Sequence, residues 1–233
     1  MIYGNQFSGM DSLLARDYVN PNVLSPMCSQ LHVCESLFGD WNARVCLLLQ
    51  DPADVDSLKK FHKETGRPIL SHNPYSDTNK RLVDWLNKFE MYGHLDIEGS
   101  RSNSCGLYYA NAVWFLKRGG GMGAPLRQRK RVIEKSTEIL VTTLTQLKEV
   151  ELIIAFGSVA YVALQNIFHL KHVWPKALEG NSIISAEINQ RRYLIGVTNH
   201  PKARGVSKDW MEQRLLAILQ QWQSKFVQSH DSS

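Results

Sequence analysis

Apolar residues along this chain follow two rhythms. Short unbroken runs, Arg44 to Gln50, Leu107 to Val113, Leu152 to Phe156 and Tyr193 to Thr198, read as strands buried on both faces. Between them the apolar positions recur every three or four residues, as a helix with one buried face requires. Leu82, Val83, Leu86 and Phe89 mark such a helix over Thr78 to Phe89, and Val132, Ile133, Leu140, Leu144 and Leu147 mark another over Arg127 to Leu147. Ser158 to Phe168 follows a Gly-Ser turn suited to capping it, and Ser207 to Phe226 carries Trp210, Leu215, Ile218, Leu219 and Trp222. Strands alternating with helices predict an α/β fold, a three-layer α/β/α domain around a central, mostly parallel, four-stranded sheet. A weaker strand, Ser182 to Ile188, can pair with the last one through a hairpin around Asn189 to Arg191.

No internal repeat, low-complexity tract or domain linker interrupts this pattern, so residues 1–233 read as one domain, with 1–40 as a polar lead-in packed on it. Gly119 to Gly123 is the most flexible-looking segment. It lacks the lysine and hydroxyl that complete a phosphate-binding P-loop.

Charge adds a direction. The formal net charge of +5 favours an anionic partner such as nucleic acid. The cysteines, Cys28, Cys34, Cys46 and Cys105, show neither the close pairs of a zinc site nor the density of a secreted disulfide scaffold, so reduced, packed thiols are expected. No apolar run approaches the roughly 20 residues of a membrane span, and the first residues lack a basic start followed by an apolar stretch. A cytoplasmic protein without a membrane partner is the expectation.

Ligands of open parallel sheets bind beyond the carboxyl ends of the strands. Here those ends carry Gln50-Asp51-Pro52, Asn111-Ala112-Val113, Phe156-Gly157-Ser158 and Asn199-His200-Pro201. Singly, Asp51 before proline reads as a turn or cap, Asn111 as a satisfied buried amide and His200 as a loop histidine. Together they place a carboxylate, a carboxamide and an imidazole along one edge, which suits a polar heterocycle.

In order along the chain, QDPAD, NPYSDTNKRLVDWL, YYANAVWF, LIIAFGSVAYVAL and TNHPKARG resemble the uracil-DNA glycosylase superfamily from about Arg44 onward. One branch of that superfamily has G-Q-D-P-Y-H at the first motif and H-P-S-P-L-S at the last. Gln50, Asp51 and Pro52 match the former, His200 and Pro201 the latter. The resemblance implies a base-flipping enzyme that cuts the N-glycosidic bond of uracil in single- or double-stranded DNA.

It also implies roles. Asp51 would orient the attacking water and stabilise the cationic sugar, and His200 would donate to the uracil oxygen, a preorganised contact worth roughly 3–4 kcal/mol. Asn111 would read the base, because its carboxamide offers both a donor and an acceptor, with Gln50, Tyr75 and Ala53 completing the uracil-binding set. Lys117, Arg118, Lys202 and Arg204, with Arg127, Arg129, Lys130 and Arg131, are candidates for phosphate contacts.

The departures are specific. Ala53 stands where that branch has the tyrosine that excludes thymine, Asp54 replaces its histidine and Leu49 its glycine. Lys202 replaces a serine, and Arg204 replaces the leucine that wedges into the vacated stack. The single-strand-selective branch is similar in having an arginine there. The iron-sulfur branch has a cysteine just after its Asn-bearing strand, whereas Asn111-Ala112-Val113-Trp114-Phe115 has none, so no cluster, metal or other cofactor is expected. Expected activity is thus a monofunctional glycosylase in repair of deaminated cytosine, acting as a monomer. Hypoxanthine or xanthine as the base, or a non-catalytic nucleic-acid-binding module, are the alternatives.

Overall fold

The structure is a computed structural model and describes residues 16–19, 38–51, 53–67, 73–89, 95–96, 102, 104–119, 126–174, 176–179 and 183–230. Pro52, Cys28, Cys34, the segment 120–123, most of the lead-in and the side chains of Arg127 and Arg129 lie outside the described residues. The chain runs β1 (Tyr18–Val19), β2 (Val45–Leu49), α1 (Val55–Thr65), α2 (Asp77–Leu86), β3 (Leu107–Asn111), β4 (Leu116–Lys117), α3 (Leu126–Gln146), β5 (Leu152–Phe156), α4 (Ser158–Phe168), β6 (Ile183–Ile188), β7 (Arg191–Thr198) and α5 (Lys208–His230).

The main sheet has five strands in the order β3-β2-β5-β7-β6, not the four expected. The pairs β2 with β3, β2 with β5 and β5 with β7 are parallel, and β6 is antiparallel to β7. The extra strand is the weak one of the sequence. Its residues alternate between more and less exposed, as an edge strand's do, so its apolar signal is diluted. Asn189 and Gln190 both take positive φ, 51° and 63°, which makes the two-residue turn that joins β6 to β7.

The central strands are buried on both sides, and successive residues serve different cores. Val45, Leu47 and Leu49 of β2 share one with Leu82 and Leu86 of α2 and with Leu215 and Leu219 of α5. Cys46 and Leu48 share the other with Leu58 of α1, Val132 and Leu140 of α3, and Ala160 and Leu164 of α4. Leu47 and Leu48 are completely buried, and each such side chain contributes about 1.5–3 kcal/mol.

Two local features had no counterpart in the expected elements. Helix α1 buries only Val55, Leu58 and Phe61. Its start is set by Asp54, whose Oδ1 accepts from the Ser57 amide at 2.8 Å, and its end by Gly66 in the left-handed region. The second is a two-stranded antiparallel sheet, β1 with β4, in which Tyr18 faces Lys117 and Val19 faces Leu116. The Arg118 amide donates to the Asp17 carbonyl at 2.9 Å.

Candidate active site at the strand ends

Parallel pairing brings the carboxyl ends of β3, β2, β5 and β7 to one edge, so Asn111, Asp51, Gly157 and His200 follow each other along it. Asn111 pairs with Leu49, and the ladder continues past both strands as the Val113 amide donates to the Gln50 carbonyl at 2.9 Å. On the other side Phe156 pairs with Thr198, and the Gly157 amide donates to the Thr198 carbonyl at 2.8 Å. The strands bearing Asp51 and His200 are two spacings apart, about 10 Å, with β5 between them. The residue that follows that strand, Gly157, has no side chain.

Asp51 is surrounded by donors. Its Oδ2 accepts from Lys117 Nζ at 2.7 Å and from Gln50 Nε2 at 2.7 Å, while Oδ1 accepts from the Ala53 amide at 3.3 Å. The ion pair is largely enclosed, its two side chains 24% and 12% exposed for lysine and aspartate. Ala53 holds φ at 102°, a conformation that costs a non-glycine residue of order 1–3 kcal/mol, and this strained residue lies directly beside the carboxylate.

His200 sits on a turn closed by the Ala203 amide, which donates to its carbonyl at 2.8 Å. Its Nδ1 accepts from the Lys202 amide at 3.2 Å, so in the neutral ring the proton resides on Nε2, which is then a donor. Burial lowers its pKa below the ordinary 6.5. The Asp51 carboxylate opposes that shift, and the charges of Lys202 and Lys117 add to it. Asp51, two strands away, and its partner Lys117 therefore act electrostatically on His200.

The loop carrying His200 is fastened to the start of α2. Arg81 Nη1 donates to the Pro201 carbonyl, and Lys202 Nζ lies 3.0 Å from Asp77 Oδ2. Arg214 of α5 donates through Nε to the Val197 carbonyl at 3.1 Å. Just ahead of α2, Tyr75 is 53% exposed, with Lys80 Nζ 5.9 Å from its ring centroid. Ser76 caps the helix by accepting from the Asn79 amide at 3.3 Å.

The structure therefore brings Asp51, Asn111 and His200 to one edge and sets α2, which the Tyr75 turn precedes, against the His200 loop. It assigns other contacts than expected to three residues. Lys117, read as a phosphate ligand, has its ammonium on Asp51. Gln50, read as a base contact, points its carboxamide nitrogen to the same carboxylate. Lys202, also read as a phosphate ligand, is paired with Asp77. Arg118 and Arg204 are exposed, and Ala53 is half-buried. Lys130 is 3.9 Å from Glu134 on the surface of α3, and Arg131 is half-buried. The half-buried Asn111 carboxamide makes no hydrogen bond with another described residue.

Four residues make contacts that the sequence reading did not foresee. Lys117 lies on a two-residue strand too short for periodicity to reveal. Asp77 and Arg81 carry only the signature of a helix start. Gly157 was visible as a turn but not as the neighbour of His200. Among the described residues no group of three His, Cys, Asp or Glu side chains could hold a metal ion, and no helix is long and apolar enough to cross a membrane. No model of a known protein family matches the chain, and a search of curated proteins found no match.

Proposed function

We propose that the chain is a DNA glycosylase that hydrolyses the N-glycosidic bond of uracil in DNA and leaves an abasic site, on a three-layer α/β/α scaffold. The observation that carries this reading is the placement of Asp51 and His200 on strand ends either side of Gly157, with His200 Nε2 as a donor. Heterolysis of the bond leaves its electron pair on the base and positive charge on the sugar. Nε2–H of His200 stabilises the developing anion on uracil O2, and Asp51 stabilises the sugar cation. Water then adds to C1′ and gives up a proton as the sugar hydroxyl forms, with Asp51 as its acceptor. Asn111 supplies an acceptor for N3–H and a donor for O4, a pattern that cytosine inverts.

Arg204 and Arg118, both exposed, suit contact with the DNA backbone, and Tyr75 suits stacking on the extruded base. The formal charge of +5 is in keeping with such a partner. Ala53 favours a second reading, in which a larger deaminated base, hypoxanthine or xanthine, enters the space that its methyl side chain leaves.

The test is base release from single- and double-stranded oligonucleotides bearing uracil, hypoxanthine or xanthine, in chelator, by native protein, Asp51→Asn and His200→Ala. Release of uracil by native protein, with both folded variants impaired at least about 100-fold, supports the first reading. Release of only hypoxanthine or xanthine supports the second. Binding without release from any substrate reduces the chain to a nucleic-acid-binding module.

A further inference from the structure

Lys117 is held more firmly than a cation meant for a mobile phosphate contact needs to be. Its ammonium lies 2.7 Å from Asp51 Oδ2 in a largely enclosed pair. Its backbone is fixed from two sides, by Tyr18 of β1 and by a parallel bridge to Asp54, the residue that caps α1. The adjacent Arg118 amide is tied to the Asp17 carbonyl.

The distribution of donors on Asp51 is lopsided. Lys117 Nζ and Gln50 Nε2 both meet Oδ2, each at 2.7 Å, whereas among the described residues Oδ1 receives only the Ala53 amide at 3.3 Å. Two short bonds to one oxygen fix the carboxylate's rotation and fill the acceptor capacity of that atom. Oδ1 keeps a lone pair for another donor.

Resting on the glycosylase reading, we propose that Lys117 is a positioning residue: with Gln50 it occupies Asp51 Oδ2 and so turns Oδ1 toward the water that attacks the sugar. Strand β1 then has a task in the site, since it braces the backbone from which Lys117 reaches Asp51. The same contact separates Lys117 from the exposed cations, whose work is on the phosphates.

The experiment compares full-length native protein with Lys117→Met, Lys117→Gln and Lys117→Arg. Steady-state and single-turnover base release and DNA affinity are measured at several salt concentrations, with a crystal structure of Lys117→Met. The expected result is a fall in kcat of about 100-fold for Lys117→Met, because a misplaced catalytic group of this kind costs that much. KM stays within about threefold, the salt slope of binding is unchanged, and Lys117→Arg recovers part of the rate. Lys117→Gln, which keeps a donor at shorter reach, carries the test if Lys117→Met does not fold.

Weaker binding with a salt slope smaller by about one, at an unchanged single-turnover rate, would make Lys117 a phosphate contact and overturn the proposal. So would a borohydride-trapped DNA adduct that disappears in Lys117→Arg, since the amine would then be a nucleophile. If native protein releases no base at all, the glycosylase reading is what fails. The crystal structure then decides the positioning claim separately: an Asp51 carboxylate that turns in Lys117→Met upholds it, and one that stays in place overturns it.

Discussion

Gly157 and His200 meet so closely that a β-carbon on the glycine would lie 3.2 Å from the histidine's own. Gly157 also holds φ at 93°, which an L side chain adopts only under strain. The Gly157→Ala protein should therefore be less stable by about 1–3 kcal/mol in urea melts. It should also lose base-release activity beyond what its folded fraction explains, because His200 must move to admit the methyl group.

Acidification should act through the same imidazole. Its pKa in the fold is below 6.5, so the unfolded chain binds a proton there that the folded chain does not. The resulting stability is fully present above about pH 6.5 and is lost as pH falls through the lower, folded value. Urea melts between pH 8 and pH 5 should show this loss, and His200→Gln should lessen it. The acid limb of kcat/KM assigned to His200 should lie below pH 6.5.

A second glycine tests packing away from the site. A β-carbon at Gly196 of β7 would sit 2.4 Å from Cγ2 of Ile218 on α5, a branch that Ile218 cannot easily rotate away. Gly196→Ala should destabilise by about 1–3 kcal/mol through overpacking. Thermal melts check the loss. Because Gly196 packs against Ile218 of α5 and not against a candidate site residue, KM should change less than stability.

Both described cysteines should be inert in the native state. Burial pushes the thiols of Cys46 and Cys105 upward in pKa, and Cys105 Sγ lies 3.3 Å from the Leu107 carbonyl, to which it can donate. Peptide mapping after iodoacetamide treatment at pH 8 should find these two residues unmodified until denaturant is added. Rapid native labelling of Cys46 would mean that the central sheet opens.

Much of this architecture was legible because the central strands are apolar without interruption. Leu152–Phe156 and Ser158–Phe168 have the same limits in sequence and structure, and β2, β3 and β7 differ from their expected spans by one or two residues. Ala112 and Val113 fall outside β3, although their amides still donate to the Leu49 and Gln50 carbonyls. What escaped was short or polar. Helix α1 announces itself through Asp54 and Gly66 more than through hydrophobicity, and β1 and β4 consist of two residues each.

The candidate site divides in the same way. Asp51, Asn111 and His200 could be named because each follows an apolar run that had to be a strand. The partnership of Lys117 with Asp51 could not, because the two are 66 positions apart and Lys117 lies on β4, whose pairing with β1 was not foreseen. Nor could the tie from Asp77 and Arg81 to the His200 loop, since it depends on where α2 lands.

The order of strands has a consequence for the chain as it is made. β2 lies between β3 and β5, and β7 joins on the far side of β5, so the middle of the sheet is assembled from distant stretches. Roughly 150 residues separate Asp51 from His200, about 7–30 s of synthesis at typical rates. Throughout that interval the nascent chain carries the Asp51 carboxylate without the His200 imidazole. A molecule interrupted before β7 has docked is thus an acid without its partner, and the chemistry proposed here switches on in one late step.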